Sequence, residues 1–145
     1  MSYLPNPYEF DYPGDYHGVP HLTYTPHEDA LPDPGEVVWT WVPYEEDYTQ
    51  GKDRPVLIVA IDGPWLLGLM LTSQDHDLDH DQEAREGRFW VEIGTGPWDP
   101  QHRVSEVRVN RIVRVYADDV RRIGGRVSLD VFHLVARGIS QHPPG

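Results

Sequence analysis

Residues 55–61 (PVLIVAI) are a continuous apolar run of strand length, and the Asp62-Gly63 dipeptide behind them is a strong reverse-turn signal. Residues 65–72 (WLLGLMLT) return as the hairpin partner. Around this hairpin the other segments also read as short strands. Residues 36–42 (EVVWTWV) put Val37, Trp39 and Trp41 on one side and Val38, Thr40 and Val42 on the other, a strand buried on at least one face. Pro43 ends it, and the polar stretch 44–53 reads as a long loop. Residues 88–93 (RFWVEI) form a further strand, closed by the Gly94-Thr95-Gly96-Pro97 turn. Across 105–115 the alternation slips phase near Asn110, giving two short strands or one bulged strand.

Asp118 and Asp119 suit the first turn of a short helix, where negative charge is favoured, and Gly124-Gly125 ends it. Ser128 is the N-cap of a last helix in which Leu129, Phe132, Val135, Ala136 and Ile139 recur at spacings of three and four. The pattern predicts a mainly β fold with a C-terminal α-helix, its antiparallel sheet strongly curved or barrel-like.

Residues 1–34 have a different character. They hold seven of the fourteen Pro, five of the eight Tyr, six acids and no Lys or Arg. Proline removes backbone donors, so neither a packed helix nor a central strand is expected there. The expected organisation is a disordered tail over 1–34, a folded domain over 35–140 and a disordered terminus over 141–145. The tail's aromatic rings leave a second reading open, in which it lies over a groove of its own chain or of a dimer partner.

There is no cysteine, which excludes disulfides, thiolate catalysis and Cys-ligated zinc. No apolar run approaches membrane-spanning length and no secretory leader opens the chain, so a cytoplasmic protein without membrane contact is expected. The formal net charge of -12 argues against a general nucleic-acid-binding coat. Yet residues 93–145 carry 8 basic side chains against 5 acidic ones, so one face can still be positive.

The segments Gly35-Glu36-Val37-Val38-Trp39, Gln50-Gly51-Lys52-Asp53-Arg54-Pro55 with its aliphatic strand, and Leu71-Thr72-Ser73-Gln74 recur in a known order and spacing. Here the sequence resembles the MazF/PemK (Kid) family of toxin endoribonucleases. That family opens G-(D/E)-(I/V)-(V/Y)-W, continues Q-x-G-x-R-P and an aliphatic strand, then ends a strand in Thr-Ser or Thr-Ala. The Gly of the second motif sits one place differently in this chain. Residues 105–107 and 113–115 correspond to a later strand pair of the family.

The resemblance implies an SH3-like barrel, usually a homodimer, that needs no metal or other cofactor. It implies cleavage of single-stranded RNA at short motifs, leaving a 2′,3′-cyclic phosphate and a 5′-OH, with a cognate antitoxin as protein partner. By motif position the catalytic Arg is Arg54 and the hydroxyl residue Thr72, with Ser73 as its substitute. Gln50, Lys52 and Gln74 flank the two motif ends and are expected RNA contacts, as are Arg108 and Arg111, which with Arg114 read either as a positive stripe or equally as a solvated face.

The chemistry fits those residue types. In-line attack by a ribose 2′-OH builds negative charge on the phosphate oxygens, where a guanidinium offers paired donors and a hydroxyl offers a third. Asp53, Asp75 and His76 are candidates for proton transfer, although each reads more readily as a solvated loop residue. Residues 74–87 read as a mobile acidic loop, and their HDLDHD segment lacks the preorganisation a metal site needs. Trp98 reads as a turn residue covering the core, with base stacking as its functional alternative. A non-catalytic binding module of the same fold, for nucleic acid or a peptide, is the competing expectation.

Overall fold

The structure is a computed structural model and describes residues 4–6, 11–27, 29, 31–73 and 79–145. Its strands are β1 (Leu4–Pro5), β2 (Glu36–Tyr44), β3 (Asp47–Asp62), β4 (Trp65–Ser73), β5 (Trp90–Gly94), β6 (Ser105–Arg108), β7 (Val113–Tyr116) and β8 (Arg122–Arg126). Two helices, α1 (His80–Arg85) and α2 (Leu129–Gln141), and a 3-10 turn at Ala117–Asp119 complete the described elements. All ladders are antiparallel, in the order β5-β6-β4-β3-β2-β8, with β1 added to β3 and β7 to β4.

Strand alternation sends neighbouring residues to opposite faces, and here both faces are buried. Val37, Leu57, Leu69 and Leu71 join one cluster, which Phe132, Val135 and Ile139 of α2 cover. Each of these three helix residues contributes about 2 kcal/mol by leaving water. Val38, Val56, Ile58 and Leu66 join the other, together with Val113 and Val115 of β7 and Ile123 of β8. The sheet curls far enough for β7 and β8 to share a cluster without a ladder between them, so the barrel is not closed. The mainly β, barrel-like fold with a C-terminal helix is therefore as expected, and Ser128 caps α2 by accepting from the Val131 amide.

Residues 44–53 are a correction. The expected loop is the outer half of a hairpin, with Pro43 paired to Gly51 and Tyr44 to Asp47. Most of its polar side chains are exposed or half-buried, so polarity there does not stop pairing. Gly51 is the reason the ribbon closes tightly: a Cβ at that position would stand 2.7 Å from the Trp41 indole. Gly124 and Gly125 likewise lie inside β8 instead of ending an element. Trp98 and Pro97 press on them, leaving no room for side chains.

The acidic stretch holds a further difference. Residues 74–78 lie outside the described residues, but α1 follows directly, with Asp79 accepting from the Gln82 amide and acids in the first turn. Residues 11–27 also depart from a solvated tail. Tyr12 is buried, the Tyr16 amide donates to the Ile112 carbonyl, and the Tyr24 hydroxyl donates to the Val127 carbonyl at 2.7 Å. These residues cover the edge of β7 that β4 leaves open. The Arg114 amide there donates to the Tyr12 hydroxyl at 2.8 Å. Proline content forbids regular ladders but not this side-chain docking.

Candidate active site

The last hydrogen-bonded pair between β3 and β4 in this direction is Val56 with Met70. Beyond it the strands separate, because residues 52–55 of β3 stay paired to β2 while residues 71–73 of β4 pair with β6. A cleft of about 260 Å³ opens in this gap. Arg54, Thr72, Ser73, Lys52, Asp53 and Trp39 all line it. Extending the register by two residues sets Arg54 opposite Thr72 on one face, and by three sets Asp53 opposite Ser73 on the other. The gap exposes both faces to one opening.

Arg54 is half-buried, and burial lowers its pKa from the ordinary arginine value. Tyr44 opposes that shift and the like charge of Arg111 adds to it. A guanidinium nonetheless stays protonated at neutral pH. Neither Arg54 nor Lys52 forms an ion pair with a described residue. In a chain of net charge -12 these two cations keep their charge available to an anionic ligand.

The walls are fixed by hydrogen bonds. Trp39 Nε1 donates to the Trp98 carbonyl at 3.0 Å, and Trp98 Nε1 donates to Ser105 Oγ at 3.0 Å. Ser105 Oγ lies 2.8 Å from Ser73 Oγ, which ties the Ser73 hydroxyl to the wall. Asp99 accepts from the Gln101 and Arg103 amides and from Arg103 Nε, and the Arg103 hydrogen bonds hold its carboxyl below the usual range. Trp98, 2 % exposed, is therefore a core-covering residue.

The proton-transfer candidates divide. Asp53 lines the cleft with a buried Oδ1 that has no hydrogen-bond partner, while its Oδ2 pairs with Arg121. Asp75, His76 and Gln74 lie outside the described residues. Gln50 pairs with Pro5 of β1 and is not among the residues lining the cleft.

Arg108 and Arg111 are ion-paired and do not stand open on the expected positive stripe. They are 6 % and 4 % exposed. Arg108 donates to both Glu45 carboxylate oxygens, at 2.9 and 3.2 Å, and Arg111 Nε donates to Asp15 Oδ2 at 2.7 Å. Each is neutralised by an acid distant in sequence, which alternation alone does not reveal.

Trp39 and Arg103 are cleft residues that sequence reasoning missed as such. Trp39 is legible as a strand residue and as the end of the family's opening motif but not as a cleft wall, and no local pattern marks Arg103. Among the described residues one group of possible metal ligands converges, His27 with Asp29 and Asp33, in a turn that does not line the cleft.

Residues 33–142 match the family described as PemK-like, MazF-like toxin of type II toxin-antitoxin system. No curated protein matches the sequence. Among solved structures the chain is similar to one described as "Endoribonuclease in complex with its cognate antitoxin from Mycobacterial species". That likeness has 16% identity and a TM-score of 0.53, covering 77% of this chain and 93% of that one. A second is "Mycobacterium tuberculosis toxin MazF-mt6", with 15% identity and a TM-score of 0.45, covering 72% of this chain and 94% of that one. With the family matched over nearly all of the barrel and the helix, the chain belongs to the PemK-like, MazF-like toxins of type II toxin–antitoxin systems.

Proposed function

We propose that the chain cuts single-stranded RNA by attack of a ribose 2′-OH on the adjacent phosphate, without a metal, and that Arg54 and Thr72 serve the reaction. The O2′–P bond forms as the P–O5′ bond breaks, leaving a 2′,3′-cyclic phosphate and a 5′-OH. A proton leaves O2′ and another reaches O5′, and Asp53 is the described carboxylate placed to take part. Arg54 supplies paired donors where charge develops on the phosphate oxygens, and Lys52 adds a second positive charge at the opening.

The observation that carries this reading is a pair of cations, Lys52 and Arg54, with no ion pair to a described residue, in a cleft also lined by Thr72. The family and the neighbour described as an endoribonuclease with its cognate antitoxin support both the chemistry and an antitoxin partner. The family resemblance also points to a homodimer. No described helix is long and apolar enough to cross a membrane.

The test is a long single-stranded RNA incubated with the protein in a metal chelator, beside Arg54→Ala. Cutting that the substitution abolishes is the expected result. Binding without cutting in the parent protein establishes the competing reading, a catalytically inactive module. The engagement of Asp53 Oδ2 by Arg121 is the feature that favours that alternative.

A further inference from the structure

We propose that Arg111 is a second phosphate-binding position beside the Arg54 cleft, occupied in the free protein by the chain's own Asp15. The ligand is a neighbouring phosphodiester of the bound strand, so the inference rests on the RNA reading above. Arg111 meets the Asp15 carboxylate with Nε at 2.7 Å and Nη2 at 3.4 Å, the two-point geometry in which guanidinium also takes a phosphate. Nη2 donates to the Pro43 carbonyl at 2.7 Å, and Nη1 rests 3.9 Å from Met70 Sδ, so the guanidinium is held in place on its other side.

Its position relative to the cleft follows from Met70. That residue lies two places before Thr72 on β4 and on the same face, a separation of about 7 Å along the strand. Arg54 also senses the charge of Arg111 directly. Beside Arg111 a cavity of about 420 Å³ is lined by Asp15, Tyr16, Tyr48 and Arg108 among others.

Two features separate this pair from a purely structural one. A buried ion pair roughly breaks even against apolar side chains of similar size, so stability alone gives little reason for it. Asp15 also comes from a leading segment that no ladder holds near this point: an isolated bridge at Tyr16–Ile112, the Gly18 to Pro144 bond, and side-chain bonds from Tyr12 to Asp15 and from Arg114 to Tyr12 and Gly14 secure it. The same leading stretch adds β1 to β3 at Gln50 and Gly51, next to Lys52. It therefore touches the proposed RNA path at both ends.

The test uses a 2′-O-methyl RNA oligonucleotide, which binds but offers no 2′-OH to react. Asp15→Asn is expected to bind it about tenfold more tightly at low salt, because no carboxylate has to leave Arg111, with the log–log salt dependence close to the parent's for the same number of phosphate contacts. Asp15→Asn with Arg111→Gln should lose the tenfold gain and show a salt dependence shallower by about 0.7, for one phosphate contact fewer. Equal or absent binding by parent and Asp15→Asn overturns the proposal.

Exposing Arg111 can harm folding, so a second measurement uses the unaltered chain. Hydrogen exchange at the Tyr16 amide should accelerate when the oligonucleotide binds, because the segment leaves Ile112. Unchanged or slower exchange overturns the proposal as well. Neither readout involves cutting, so failure of the ribonuclease reading shows separately, as intact RNA in the chelator assay.

Discussion

Arg54 stands opposite Thr72 in the register of β3 and β4, two residues past their last hydrogen-bonded pair. The two residues therefore line one cleft at a place where no ladder joins their strands. Backbone pairing elsewhere holds them: Arg54 through Thr40 of β2, and Thr72 through Glu106 of β6. Under the proposed function, an RNA strand entering the gap would meet the Arg54 side chain from β3 and the Thr72 side chain from β4.

Thr72→Val keeps the shape and removes the hydroxyl. If that hydroxyl donates to the reacting phosphate, cleavage should fall by about a hundredfold or more, the usual cost of one such donor. Ser73→Ala should change the rate only a few fold, since Ser73 Oγ is engaged with Ser105 Oγ. Single-turnover cleavage of a short RNA by the two variants checks the contrast. Equal losses would contradict the division of roles.

Gly51 tests the packing that holds this strand. In Gly51→Ala the new Cβ would stand 2.7 Å from the Trp41 ring, which is fully buried and cannot yield cheaply. A loss of about 2–3 kcal/mol is expected from overpacking, well above the roughly 1 kcal/mol that replacing Gly by Ala returns in backbone entropy. Urea unfolding of the variant gives the number directly.

How much of this was readable beforehand depended on whether the signal was local. The 55–61 and 65–72 hairpin announces itself because its apolar run and its Asp-Gly turn are contiguous, and α2 because its stripe repeats every three or four residues. The ribbon over 44–53 was hidden, since its stability comes from Trp41 lying on Gly51 across the ladder. The motif spacing brought out Arg54 and Thr72. Nothing in the spacing showed that Arg108 would meet Glu45, 63 residues away, or Arg111 meet Asp15, 96 residues away.

Acid should unfold the protein partly through Glu83. Its carboxylate accepts from Arg88 Nε and Nη2 and from Trp90 Nε1, and the Arg88 bonds chiefly pull its pKa down to about 2 from the usual 4.5. A carboxyl depressed in the folded state stabilises it fully above the unfolded value. That contribution fades as pH falls from about 4.5 towards 2. Glu45 and Asp99, held low mainly by hydrogen bonds from Arg108 and Arg103, act in the same direction. Thermal unfolding from pH 6 to 2 should show a falling Tm in the parent and a shallower fall in Glu83→Gln. Parallel curves would assign the acid sensitivity to other groups.

Tyr24 decides where the cooperative unit begins. Its hydroxyl donates to the Val127 carbonyl just before α2, its ring lies 5.3 Å from that of Phe132, and it packs under Gly35, where a Cβ would come within 2.8 Å of the Tyr24 ring. A segment merely resting on the barrel could lose these contacts without altering the unfolding transition. A segment folded with it could not. Tyr24→Phe should cost about 1 kcal/mol for the lost hydrogen bond, and Tyr24→Ala about 2–3 kcal/mol once the ring's burial is lost too. Both should lower the urea midpoint with the slope unchanged, because the same surface is exposed on unfolding. Midpoints equal to the parent's would put the start of the folded unit at Gly35, where composition alone had placed it. The expected shifts would place it ahead of Tyr24, making the proline-rich stretch around that residue part of the barrel's own core.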